Sequence, residues 1–557
     1  MECILSFRHA VSLSEERKRN MRHVGFWRDE TILDYFDAAV AERPDHVAIV
    51  DYKSPSRRRF ALTYRELNQH VSNIAANFLS LGIQPGDVIS IQLPNWWEFT
   101  ALHLAAMRIG AVTNPLMPIF RRRELEFMLQ LAESKLLITP EEFRKFSYRP
   151  LVGELRKVLP ALKHAFFVGA EGADSFDRLL EPSQSSGHRP SFTPPQADDV
   201  CQVLFTSGTT GEPKGVMHTS NTLWGDVRPR VERLGLGADD VVFMPSPLAH
   251  QTGFLVGILM PIYVRGTAVL QDIWNADHAL DIMRAEKTTF TMASTPFLLD
   301  LTNAIEKAGS ELPGFRIFVA GGAPIPPALV HRSSKALGAA IVSIWGMTEC
   351  GASTATDVGD PVNKASESDG KPNPGAEIRV VDRNGTVLGH DISGHLQVRS
   401  AGNFVGYLKR PHLNATSADG WLETGDLATI NNEGYVRITG RSKDVIIRGG
   451  ENVPVVEIEG LLFEHPDIAE VAIVPYPDER LGERGCAFVV PREGSRLTLD
   501  DIAAFLIEKG CTKNYLPERL EIVSEMPRTP SGKIQKFVLR ERVQNPERGR
   551  MARESAV

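Results

Sequence analysis

No apolar run in the sequence approaches the roughly 20 residues that a membrane-spanning helix requires. The most apolar interior stretch, residues 253–264, reads as a buried core element. Cysteine is scarce: Cys3, Cys201, Cys350, Cys486 and Cys511 are odd in number and scattered, with no CxxC or Cys/His spacing of a metal site. This argues against a disulfide framework or a zinc module and suits a reducing cytosol. Positive charge is not in excess either, since a formal net charge of −7 gives no global attraction to nucleic acid or to an anionic membrane. Any phosphate ligand must therefore be held locally. Near the N-terminus, Glu2, Arg8, Glu15, Glu16, Arg17, Lys18 and Arg19 interrupt every short apolar run, so no signal-peptide core is found and a cytoplasmic location is expected. No fixed-period repeat occurs. The Ser/Gly/Pro-rich segment 183–195 and the charged tail after residue 545 read as surface connections.

What is present is ordinary globular composition, 42% hydrophobic and 24% charged, in a chain of 557 residues. A single core stops growing at roughly 250 to 300 residues, so at least two domains are expected. Short β-branched runs at 88–93 and 317–319 alternate with amphipathic helical patterns at 63–81 and 99–108, which predicts an α/β fold. Thr63 as N-cap and Gly82 just past the end bound the first of these helices. Near Thr439 the texture changes. Residues 440–452 are rich in charge and glycine and lead into a helical pattern at 455–465, then strand signals at 471–474 and 487–490. The boundary is placed between a domain of residues 1–440 and a small α+β domain of residues 441–557, able to move as a lid.

The most informative stretch is residues 204–219, LFTSGTTGEPKGVMHT, where an apolar strand runs into Thr206, Ser207, Gly208, Thr209, Thr210 and Gly211, then Lys214. Glycines bring backbone N–H groups close to an anion, hydroxyls add donors, and a lysine supplies a point charge. The order of residues is not the GxxxxGK[ST] of a Walker A loop, which disfavours a P-loop kinase or ATPase.

This stretch resembles the signature of the adenylate-forming superfamily, which holds acyl-CoA synthetases, luciferases and the adenylation domains of peptide synthetases. Further motifs of that family follow in its order from Leu33 to about Arg540. Residues 320–326, AGGAPIP, are similar to its adenine-binding turn, with Gly321, Gly322, Ala323 and Pro324 as contacts. Residues 344–351, IWGMTECG, resemble its aromatic-Gly-x-Thr-Glu element. Trp345 stands where tyrosine is more usual. It can still stack on a purine or be simply core, and Gly346 follows it. The resemblance assigns Thr348 to the α-phosphate, although a helix N-cap is the plain alternative, and Glu349 to Mg2+, which takes one or two carboxylates with substrate phosphates and water. In residues 420–428, GWLETGDLA, Asp426 would accept from both ribose hydroxyls, and Arg441 would be a second ribose contact. His395 and Ala428 replace an acid and a glycine more usual in the family, with structural consequences only.

Residues 527–536, PRTPSGKIQK, resemble the family's catalytic-lysine loop, flexible and glycine-containing, with Lys533 as that lysine and Lys536 as a solvated neighbour. The resemblance implies a large N-terminal domain of stacked β-sheets with helices plus a small distorted barrel, and a mobile α+β domain that rotates about Lys443. That rotation would withdraw Lys533 and present Gly449 and Gly450 to a pantetheine arm. It also implies the reaction: a carboxylic acid, ATP, Mg2+ and coenzyme A give an acyl adenylate and pyrophosphate, then a thioester. In members that activate amino acids an aspartate occurs within the segment matching residues 247–254. The chain reads PLAHQTGF there, which favours a neutral-tailed acid of medium-chain fatty or alicyclic or aromatic type. His250 resembles the residue between acyl pocket and thiol tunnel. Phe254, Phe297 and Leu298 are expected to help line an apolar pocket. A separate carrier protein as acceptor, a luciferase-like oxidase and a homo-oligomer remain open.

Overall fold

The computed structural model describes residues 14–544 apart from 55, 184–193, 207–212, 323–324, 443–444, 449–450 and 530–531, and the side chains of all of these but 447, 451 and 452. Most of the Ser/Gly/Pro-rich connection and the charged tail therefore lie outside the described residues.

Local chemistry sets the element ends. The helix Tyr64–Ser80 starts in a capping box, the Thr63 hydroxyl accepting from the Glu66 N–H at 3.2 Å while the Glu66 carboxylate accepts from the Thr63 N–H at 2.8 Å. Tyr64, Leu67, Val71, Ile74, Ala75 and Phe78 recur at helical spacing and form its buried face. Gly82 then takes the chain out at φ +77°. The expected helix over 99–108 is Trp97–Arg108, buried along nearly its whole length.

Among the described residues the strands build four large sheets. In the first, of nine strands, Val47–Lys53, Val241–Met244, Thr267–Gln271, Phe290–Ser294, Ile317–Gly321 and Ala340–Met347 lie parallel, flanked by antiparallel edges. The second, of seven strands, carries Val88–Ile91, Val112–Pro115 and Val200–Thr206 in parallel and ends in the antiparallel pair Lys214–Thr219 and Gly406–Tyr407. A shared apolar core that includes Ile91, Leu102, Leu136, Leu223, Val242, Phe254 and Val319 joins these two sheets. The 253–264 stretch belongs to this core, as Gln251–Phe254, a π-turn at Leu255–Leu259 and Met260–Val264.

The strands Ala376–Val381, Gly394–Ser400, Leu422–Ile430 and Val436–Arg441 make an antiparallel sheet where the resemblance implied a small barrel. The last sheet is C-terminal. Its long hairpin Ile468–Asp478 and Gly482–Pro491 covers the two expected strand signals, and the helix Val455–Phe463 packs on it. A large N-terminal body of stacked sheets and a small C-terminal α+β unit are thus both seen. No helix among the described residues is long and apolar enough to cross a membrane.

Candidate active site

The strands Val200–Thr206 and Lys214–Thr219 pair antiparallel with Thr206 opposite Lys214, so the hydroxyl- and glycine-rich segment joins two neighbouring strand ends. Ser207, Gly208, Thr209, Thr210 and Gly211 lie outside the described residues. The Lys214 ammonium stands 4.9 Å from the centroid of the Tyr407 ring, and the Tyr407 hydroxyl donates to Glu349 Oε1 at 2.8 Å. Burial and the adjacent carboxylate push the phenol up from its ordinary value of 10, so it remains protonated as the donor. Sequence reading missed Tyr407. The short strand Gly406–Tyr407, registered on Val216 and Met217, brings it there.

Thr348 and Glu349 form the turn between the strands Ala340–Met347 and Gly351–Ala355. No helix starts at Thr348, so its alternative reading as an N-cap does not hold. Two contacts fix this turn. The Phe404 N–H donates to the Glu349 carbonyl at 2.7 Å, and His218 Nε2 lies 2.7 Å from the Thr348 carbonyl. A carbonyl only accepts, so Nε2 carries the proton and Nδ1 faces the Thr222 hydroxyl at 3.0 Å. Burial lowers the His218 pKa to about 4, which keeps the imidazole neutral. His218 was inside the quoted signature but not singled out, because its partner is far away in sequence. Gly346 is required by contact: a Cβ there would sit 2.1 Å from the Gly351 carbonyl oxygen.

The candidate ribose residues meet at one corner. Asp426, 3% exposed on the strand Leu422–Ile430, is registered opposite Arg441. Arg441 Nε stands 2.8 Å from its Oδ1, and the Trp345 indole N–H donates to its Oδ2 at 2.9 Å. Oδ1 is buried, and among the described residues no donor meets it with hydrogen-bond geometry, the Arg441 contact being ionic. Trp345 is packed with Val216, Leu396, Val398, Tyr407 and Leu422, so it is core and hydrogen-bonded at once. Gly321 ends its strand in register with Ile344, and Gly322 follows at φ +80°. Ala323 and Pro324 lie outside the described residues, as do Lys443, Gly449 and Gly450. The strands Ile446–Arg448 and Glu451–Val453 on either side of Gly449 and Gly450 pair as a hairpin.

Lys533 reaches the N-terminal body from the C-terminal unit. Its loop is tied to itself, the Thr529 N–H donating to the Lys533 carbonyl at 2.8 Å and the Gln535 N–H to the Pro527 carbonyl at 2.8 Å. Arg528 pairs with Glu470 at 2.7 Å on one side and Lys536 with Glu459 at 2.7 Å on the other. Lys536 is therefore a half-buried ion-pair partner and not the solvated lysine expected. Gly532, at φ +85°, packs so closely that a Cβ would lie 2.9 Å from Ser294 Oγ and 3.7 Å from the Phe297 ring. The Lys533 cation is close enough to His250 to help burial hold its pKa at about 4. His250 Nδ1 accepts from the Thr252 N–H at 3.3 Å and caps the helix Gln251–Phe254.

Phe297 does lie at this seam. Phe254 packs edge-on against His103 in the inter-sheet core, whereas Phe297 and Leu298 share a second apolar cluster. Apolar side chains at such spacing are as readily core as lining.

The Glu349 carboxylate, held by the Tyr407 phenol, fits the single oxygen donor that Mg2+ takes when it is bound mainly through a nucleotide's phosphates, and the Lys214 cation beside it suits phosphate oxygens. Among the described residues no cluster of three acidic, His or Cys ligands occurs that would cage a metal by protein alone. Comparisons with known proteins bear on the nucleotide. The AMP-binding enzyme family matches residues 36–408, and the AMP-binding enzyme C-terminal domain matches residues 457–533. The chain is 37% identical over 536 residues, covering 95% of it and 93% of the relative, to the medium-chain fatty-acid–CoA ligase of Escherichia coli K12. It is 31% identical over 533 residues, covering 95% of it and 96% of the relative, to the 2,3-dihydroxybenzoate-AMP ligase of Bacillus subtilis. It superposes on ATP-bound MatB from Rhodopseudomonas palustris with a TM-score of 0.81 at 27% identity, over 92% of this chain and 99% of that one. The chain therefore belongs to the AMP-binding enzyme family and is a ligase of the adenylate-forming acyl-CoA group.

Proposed function

We propose that the chain activates a medium-chain fatty acid, or an alicyclic or aromatic acid, with ATP and Mg2+ and transfers the acyl group to coenzyme A. The observation that carries this reading is the approach of Lys533 to His250, with Gly532 packed against Ser294 and Phe297, in a chain whose N-terminal body holds Asp426, Glu349 and Thr348. An oxygen of the acid attacks the α-phosphorus, the bond from that phosphorus to the pyrophosphate oxygen breaks, and pyrophosphate leaves. Negative charge builds on the phosphoryl oxygens, where the Lys533 ammonium stabilises it. Thr348 contacts the α-phosphate, and the segment 206–211 with Lys214 holds the outer phosphates. Glu349, oriented by Tyr407, would hold Mg2+, which when bound screens phosphate charge. Asp426 and Arg441 bind the ribose, and the turn from Gly321 to Pro324 with Trp345 and Gly346 borders the adenine.

A thiol then attacks the acyl carbon and AMP leaves. The charge now develops on the acyl oxygen, so Lys533 is no longer needed. The chain divides at 440/441, and rotation about Lys443 brings Gly449 and Gly450 to the thiol's approach. His250 stands at the acyl end, kept neutral by burial first and by the Lys533 cation second. The name of the Escherichia coli relative supports a fatty acid and coenzyme A. That of the Bacillus subtilis relative, an aromatic-acid AMP ligase, supports a second reading in which the adenylate goes to another acceptor.

The test is acid-dependent release of AMP and pyrophosphate across aliphatic, alicyclic and aromatic acids, with and without coenzyme A. Thioester formation that tracks AMP release is expected. AMP release indifferent to coenzyme A would select the second reading, and ADP release would overturn both.

A further inference from the structure

We propose that Trp345 is a positioning residue for the nucleotide sugar: its indole N–H holds one oxygen of Asp426 so that the other stays turned toward the ribose hydroxyls. The inference rests on the assignment of Asp426 to the ribose.

Three observations carry it. The indole donates to Oδ2 at 2.9 Å, and an indole nitrogen is a donor only, so the direction of this bond is unambiguous. The ring is buried in the apolar cluster that includes Val216, Leu396, Val398 and Leu422, which restricts its freedom to follow a carboxylate that swings. The opposite oxygen, Oδ1, is buried yet lacks a donor of hydrogen-bond geometry among the described residues, and it faces Arg441, whose side chain is one-third exposed. The carboxylate is thus held from two sides, by the indole on Oδ2 and by the Arg441 guanidinium beside Oδ1. A carboxylate has about four acceptor positions, so Oδ1 can still accept from a sugar diol, which supplies two O–H donors.

A tyrosine at this position would present a hydroxyl that rotates and can either donate or accept. The tryptophan removes that freedom. Asp426 then meets the nucleotide already oriented, and the benefit appears in ATP binding. The ribose lies away from the reacting phosphorus and keeps the same contacts in ground and transition states, so KM for ATP should respond while kcat does not.

The experiment replaces Trp345 with benzothienylalanine, which keeps the ring shape and puts sulfur in place of the N–H, and separately makes Trp345→Phe. KM for ATP, KM for the acid and kcat are measured, each with ATP, 2'-deoxyATP and 3'-deoxyATP, in the wild-type and Asp426→Asn backgrounds. Loss of a hydrogen bond to a charged group is expected to raise KM for ATP about tenfold, with kcat and the acid KM unchanged. The penalty for deleting a ribose hydroxyl should shrink in both Trp345 variants. In the Asp426→Asn background the Trp345 changes should add little, because residues acting through one contact are not additive.

A benzothienylalanine enzyme that matches wild type overturns the inference and leaves the ribose assignment standing, provided that Asp426→Asn raises KM for ATP. Equal changes in the acid KM and the ATP KM also overturn it, since they mark a general repacking. An Asp426→Asn enzyme with unaltered KM for ATP overturns the ribose assignment and the inference together.

Discussion

Asp426 sits 3% exposed on an inner strand, tied to Trp345 and facing Arg441 of its own sheet, whereas Lys533 is exposed and arrives from the C-terminal unit across a seam formed by Ser294, Pro296 and Phe297. The first corner is finished before any nucleotide arrives. The second depends on how two bodies meet. On the proposed function, groups that bind the nucleotide through both half-reactions are built permanently into the core, while a cation needed for only one of them is carried on a part proposed to rotate away. The contrast is one of duration as much as of chemistry.

The sharpest way to break it is Lys533→Ala. Adenylate formation, followed by pyrophosphate release, should fall about 10² to 10³-fold, while thioester formation from a supplied acyl adenylate keeps its rate. Equal losses in both steps would show that Lys533 belongs to the permanent set.

Tyr407→Phe probes the permanent side. Without the phenol donor at 2.8 Å, Glu349 loses its orientation, and kcat/KM should drop about tenfold with a higher Mg2+ concentration needed for half-maximal rate. An unchanged Mg2+ dependence would separate Tyr407 from any metal role.

Gly532→Ala tests the seam itself. The residue has φ +85° and no room toward Ser294, so the added methyl should slow adenylation about fivefold, the cost expected of a positive-φ position. Stopped-flow measurement of the thioester step should find it intact. Slowing of both steps alike would mean that the contact is structural.

A separate prediction concerns stability against pH. His103, His218 and His250 are held neutral at about 3, 4 and 4, against 6.5 for a free imidazole. The unfolded chain binds protons that the folded one refuses. This stability is therefore fully present above pH 6.5 and declines as pH falls toward 4. Urea midpoints should already drift downward between pH 6.5 and about 5, above the usual carboxylate range. A flat midpoint through that window would contradict the neutral assignment.

Much of this architecture is legible in the sequence, because its signals are local. Thr63 and Gly82 announce the ends of the helix between them, and the run from Leu204 reads as an apolar strand entering a hydroxyl- and glycine-rich loop. The pairings between distant segments are not legible. Tyr407 meets Glu349 across 58 positions and His218 meets Thr348 across 130, and no spacing rule connects such residues without the sheet order that brings them together. Lys536 looked like a surface lysine because its partner, Glu459, lies on a helix far upstream. Phe254 and Leu298 were grouped by type, yet they belong to two different apolar clusters that the tertiary fold, and not their spacing, defines.

The clamps at both ends of the lysine loop have a further consequence. With Arg528 fixed to Glu470 and Lys536 to Glu459, both ends of the loop are anchored to the C-terminal unit. On the proposed mechanism, anchored ends reduce the chain entropy lost when the ammonium engages, and the effective concentration of that charge follows the orientation of the C-terminal unit. Loosening either clamp would leave the lysine present but blur its timing, converting a stepwise machine into one that samples its two tasks at random.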